Sequence, residues 1–102
     1  MFHANGNTIN IASSTSSTNA ALVSDGSSPD VMIGNNSTGW AQVNFGGASV
    51  ASTFPTTSAS APGDIIPPGM SMFFTPGTAA TYVSVALDTG TGSLYVTPGK
   101  LT

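Results

Sequence analysis

The chain has 102 residues, only 5% of them charged, and a formal net charge of −3 at neutral pH. Lys100 is the sole basic residue; the acidic ones are Asp25, Asp30, Asp64 and Asp88, and Glu, Arg and Cys are absent. This composition excludes a disulfide framework and a thiolate metal site. It also excludes a basic patch for nucleic acid or for an anionic lipid surface.

No window carries the i, i+3, i+4, i+7 apolar pattern of an amphipathic helix, and short alternating runs punctuated by Gly, Pro, Asn and Ser recur instead. Thr8 to Ala12 alternates with Ile9 and Ile11 inward, and a strand over Ala20 to Val23 follows a Ser/Thr loop. Asp30 to Ile33 is a short apolar strand, with Gly34-Asn35-Asn36 expected as its closing turn. That turn begins two overlapping glycosylation sequons, Asn35-Asn36-Ser37-Thr38, which read as turn residues. Gly39 to Phe45 places Ala41, Val43 and Phe45 on one face and Trp40, Gln42 and Asn44 on the other. Gly46-Gly47 predicts a tight hairpin into a strand over Ala48 to Phe54, because two glycines supply the positive φ angles such a turn needs.

Residues 55–63 are a polar excursion. Asp64-Ile65-Ile66 then leads into a Pro67-Pro68-Gly69 turn, with Pro at the fixed-φ position and Gly where φ is positive. Met70 to Thr75 alternates, placing Met70, Met72 and Phe74 inward and Phe73 outward. Thr81 to Leu87 turns Val83, Val85 and Leu87 inward. Asp88 to Gly92 turns the chain back into Ser93 to Thr97, where Leu94 and Val96 face in and Tyr95 faces out. Pro98-Gly99 is expected to end the order.

Eight or nine short strands joined by turns, without crossover helices, predict an antiparallel two-sheet sandwich. A jelly roll is the most economical closure, with an immunoglobulin-like sandwich as the alternative. One domain over 1–102 is expected, with a flexible tip at 1–7 and a polar loop at 55–63. No apolar run is long enough for a membrane helix. The N-terminal residues lack the basic and apolar regions of a secretion leader, so synthesis in a cytosol is expected.

A catalytic reading lacks parts. His3 is the lone histidine, and no serine sits in a Gly-x-Ser-x-Gly elbow. Asp25-Gly26-Ser27-Ser28-Pro29-Asp30 offers two carboxylates in one loop, but not at calcium-loop spacing, and Asp is an ordinary turn residue. No enzyme activity and no cofactor are expected. The polar surface is built from fifteen Ser and fourteen Thr. Hydroxyls are cheaper to desolvate than ions, so such a surface suits being covered by protein. Five aromatics are candidate interface residues: Phe2 in the N-terminal tip, Trp40, Phe54, Phe73 and Tyr95. Partial burial of both strand faces under folded-over loops is the equal alternative, and stacking of Trp40 or Tyr95 on a sugar comes behind both.

Four stretches share a recognisable cadence: Trp40-Ala41-Gln42-Val43-Asn44-Phe45-Gly46, Ile65-Ile66-Pro67-Pro68-Gly69, Ala80-Thr81-Tyr82-Val83-Ser84-Val85, and Gly90 to Gly99 closing on Val96-Thr97-Pro98-Gly99. Over residues 40–99 the chain resembles small Gly/Ser/Thr-rich virion proteins of tailed bacteriophages, most of all capsid decoration (cement) proteins. The resemblance implies a structural protein on the outer surface of the virion capsid. It would bind the major capsid protein lattice, work as a homo-oligomer (a dimer or trimer), and carry no catalytic residues. A head fibre, collar or tail adhesin, and a carbohydrate-binding module, are the alternatives.

Overall fold

The structure is a computed structural model and describes residues 1–4, 6–22, 30–55, 63–76 and 80–101. The described residues form nine strands: β1 (Phe2–Ala4), β2 (Ile9–Ser13), β3 (Thr18–Ala21), β4 (Asp30–Ser37), β5 (Ala41–Gly46), β6 (Asp64–Ile66), β7 (Ser71–Phe74), β8 (Tyr82–Leu87) and β9 (Gly92–Leu101). All pair antiparallel, in two sheets packed face to face. The larger sheet runs β1-β9-β4-β7, with β2 also on β9, and the smaller runs β3-β8-β5-β6. The expected all-β, two-sheet antiparallel sandwich is therefore the observed fold.

Alternation along the strands decides what fills the space between the sheets. Ile11, Val31, Ile33, Leu94 and Val96 enter from the larger sheet, and Ala41, Val43, Ile66, Val83, Val85 and Leu87 from the smaller. Ile9, Phe45, Met72 and Phe74 pack around this centre. Ile33, Ile66 and Leu94 are fully buried, and each such side chain contributes about 1.5–3 kcal/mol relative to exposure.

Several expectations require correction. Gly34-Asn35-Asn36 is not a turn: β4 runs through it to Ser37, paired with Leu94, Ser93 and Gly92 of β9. The Gly46-Gly47 hairpin is absent. Both glycines keep negative φ, a turn closes from Val50 N–H to the Gly47 carbonyl, and residues 48–55 form no strand. The strand β5 already has partners on both sides, β6 and β8, so no edge remains for a hairpin mate. Phe2–Ala4 is a strand on β9 rather than a free tip. The polar loop expected at 55–63 lies mostly outside the described residues, as does the Asp25 end of the paired-carboxylate loop.

The strand β9 also continues past Pro98-Gly99 to Leu101. Pro98 lies where β9 changes partner strand. The register moves from Ile9↔Val96 on β2 to Ala4↔Gly99 on β1, a shift of two residues that falls across this part of β9. A missing N–H is better tolerated at such a change than within an unbroken ladder. The Pro67-Pro68-Gly69 turn forms as expected, with Gly69 at φ 76° and Met70 N–H bonded to the Pro67 carbonyl at 3.3 Å.

Candidate functional site

The two outer faces of the sandwich differ. On the smaller sheet, Gln42, Ser84 and Ala86 alternate with the core residues, yet all three are buried. The segment after β5 lies over Ser84, and Gly63 lies against the Gln42 side chain. The Ser52 hydroxyl meets Ser84 Oγ at 2.7 Å and donates to the Ser84 carbonyl at 3.0 Å. Ser52 N–H donates to Ser17 Oγ at 2.9 Å, and the Asn44 amide donates to the Ala51 carbonyl at 3.3 Å. The Asn19 amide donates to the carbonyls of Ala48 and Val50 at 2.9 and 3.2 Å. Side chains of three adjacent strand regions thus hold an irregular strap by its backbone, which satisfies polar groups that burial would otherwise penalise.

The outer face of the larger sheet has no such strap among the described residues, and large apolar side chains stand on it beside the exposed polar Asn10, Asn36 and Ser71. Phe73 and Tyr95 alternate with core residues and are 50% and 40% exposed. Met32 pairs with Phe73 on one side and Thr97 on the other, so it lies between them on the same face. The Phe2 ring lies over Gly99, where any side chain would collide with it, and packs on Phe73 with centroids 5.5 Å apart. Leu101, in register with Phe2, extends the face at its end. The Thr8 and Thr97 hydroxyls bond to each other at 2.7 Å beside it.

A depression of about 430 Å³ opens in this face over Gly34, with Met32, Met70, Ser71, Tyr95 and Thr97 around it. Gly34 sits in register between Tyr95 of β9 and Ser71 of β7, and its missing side chain is the floor. The far end of β4 is anchored by Asn35, which points into the sandwich and is buried. Its amide donates to the carbonyls of Gly39 and Ile66 at 3.0 and 2.9 Å, and its Oδ1 accepts from Ser37 Oγ at 2.6 Å. An Asn read as a turn residue is instead a tie between the two sheets.

Charge is kept off this face. Exposed Asp64 starts β6, exposed Asp88 follows β8, and Lys100 alternates with Gly99 and Leu101. Asp30, at the margin, is the one carboxylate in the face's register among the described residues, and it is buried. It accepts Leu101 N–H at 2.7 Å. That backbone bond, then one from the Thr75 side chain and the nearby Lys100 charge, hold its carboxyl below the ordinary value of 3.8 against the opposing effect of burial.

Of the five candidate interface aromatics, Phe2, Phe73 and Tyr95 therefore share one face. Trp40 does not. It is 47% exposed between β4 and β5, where its N–H donates to Asp88 Oδ1 at 2.9 Å and its carbonyl accepts Asp88 N–H at 3.0 Å. Phe54 is half-buried just beyond Ser52 on the strap side. Sequence reasoning missed Met32 and Leu101, and put Met70 inward although it is 52% exposed, because β7 starts only at Ser71. The signal was present: Val31-Met32-Ile33 and Met72-Phe73-Phe74 are unbroken apolar runs, which alternation makes apolar on both faces. No group of three or more His, Asp or Glu side chains clusters as a metal site among the described residues. Comparison with known protein families, curated proteins and solved structures finds no match.

Proposed function

We propose that this chain is a non-catalytic assembly subunit, a capsid decoration protein of a tailed-bacteriophage virion that binds the major capsid protein lattice and its own copies. The observation that carries the reading is the uncovered, uncharged outer face of the larger sheet, where Phe2, Met32, Met70, Phe73 and Tyr95 gather. Contiguous exposed apolar surface on a small domain marks an interaction site, and the depletion of charge matches the centre of protein interfaces. The strand order supports a jelly roll over an immunoglobulin-like sandwich: β2-β9-β4-β7 faces β3-β8-β5-β6, eight strands that cross between sheets at nearly every connection.

A cement protein stabilises a shell by binding the assembled state alone, and many copies add through avidity. Its surfaces therefore work covered, which accounts for the scarcity of charge. The test is made on purified particles. Copy number should approach that of the major shell protein, and particles stripped of the chain should lose heat stability and regain it on adding the chain back. Stripped particles as heat-stable as complete ones would contradict the assignment. A few dozen copies per particle would point to a fibre or adhesin instead.

A further inference from the structure

We infer that the depression over Gly34 and the side chain of Phe73 are two halves of one self-complementary contact, through which a second copy of this chain docks about a two-fold axis. This rests on the assembly reading above and names the first partner of that face.

The hole and the knob are adjacent. Ser71, in register with Gly34, and Phe73 are two residues apart on β7 and on the same face, so about 6.6 Å separates them along the strand. A two-fold axis lying between two facing copies, and crossing the midpoint of the line from knob to hole, exchanges them. Each Phe73 then enters the other copy's depression, as an isologous interface requires.

The sizes agree. A cavity of about 150 Å³ accepts a benzene ring, and this depression measures about 430 Å³ with Met32, Met70 and Tyr95 around it. Methionine adapts to an inserted ring, and Tyr95 offers an aromatic edge or face. The knob is also held ready. Phe73 leans on Phe2, and Phe2 lies on Gly99, so docking orders a ring that already has a seat.

Charge selects the occupant. A second copy brings the same charges, so a face bearing exposed carboxylates would repel itself on a chain of net charge −3. This face has none exposed among the described residues. A foreign partner is commonly steered and chosen by complementary charge; here no exposed charge among the described residues is on offer, and a second copy supplies the matching knob and hole.

The experiment is sedimentation equilibrium of the full chain with two variants. Wild type should run at twice the 10.1 kDa chain mass at micromolar concentration. Phe73→Asp puts two carboxylates into the closed contact, and Gly34→Val fills both holes. Each should weaken dimerisation at least about 100-fold, while Trp40→Ala leaves it unchanged. Thermal melts at dilutions where wild type is monomeric separate weakened docking from misfolding. If Gly34→Val does not fold, Phe73→Asp, at an exposed site, still decides. A wild-type monomer at millimolar concentration, or a dimer indifferent to a folded Phe73→Asp, overturns the inference. A monomer retained on shells at high copy leaves the decoration reading standing without this contact. A Phe73-dependent dimer that no shell retains leaves the contact standing without that reading.

Discussion

The two outer faces of this sandwich are built from opposite materials. The smaller sheet's outer face carries Gln42, Ser84 and Asn44 with the small Ala86, and the chain ties its own strap over Ser84 and Asn44. The larger sheet's outer face gathers Met32, Phe73 and Tyr95 beside the exposed polar Asn10, Asn36 and Ser71, and the described residues leave it open. A free-standing domain would be expected to reverse this, putting apolar groups under the strap and hydroxyls toward water. The contrast teaches that the strap is intramolecular and fixed by hydrogen bonds, whereas the larger sheet's face is the one that the proposed assembly role would have another protein cover.

Substitutions can sharpen or break that contrast. The largest effect should come from Asn35→Ala, which joins the sheets beneath both faces. It removes two buried amide bonds and leaves the carbonyls of Gly39 and Ile66 without them, for a loss of about 3 kcal/mol in urea unfolding. Next is Ser84→Val under the strap, expected to cost about 2 kcal/mol by crowding the site and removing the hydroxyl–hydroxyl bond to Ser52, which keeps only the Ser84 carbonyl. A neutral result there would mean the strap does not seal that face. Gly99→Ala collides with the His3 carbonyl as well as the Phe2 ring, so β1 must shift, and it should cost at least about 1 kcal/mol, with faster amide exchange in β1 before the rest of the sheet.

Asp30 gives a pH dependence with a defined sign. Its folded carboxyl titrates below the ordinary value of 3.8, so its contribution is present above that value and is lost as pH falls through the lower folded one. Melting temperature measured downward from pH 5 should fall, and Asp30→Asn should flatten part of that fall. The smallest effect on folding belongs to the open face. Phe73→Ser should change monomer stability by no more than about 1 kcal/mol, the worth of its half-burial and its contact with Phe2, while weakening association. A loss as large as that of Ser84→Val would mean that Phe73 serves the fold rather than a partner.

Much of the fold was legible because period-two alternation is a local property. Ile9/Ile11, Val83/Val85/Leu87 and Leu94/Val96 declare their inward side without knowledge of any neighbour. The errors arose where pairing partners decide. Gly46-Gly47 looks like a hairpin until β6 and β8 are seen to occupy both edges of β5. Pro98-Gly99 looks like a stop until β9 is seen to change partner from β2 to β1 around it. Asn35 looks like a turn residue until the Gly39 and Ile66 carbonyls arrive from elsewhere in the chain. For the site, the outward positions of Phe73, Trp40 and Tyr95 could be read from alternation. The convergence of Phe2 with Phe73, and the hole made by Gly34, depend on strand order, which no local pattern encodes.

The central claim, that the apolar outer face of the larger sheet lies under another protein, is tested most directly by oxidative footprinting. The chain is labelled in its native assembly, isolated without denaturation, and again as dilute free protein. Met70, Phe73 and Tyr95 should be several-fold less oxidised in the assembly. Equal oxidation of these three in both states would contradict the claim, whatever happens at Trp40.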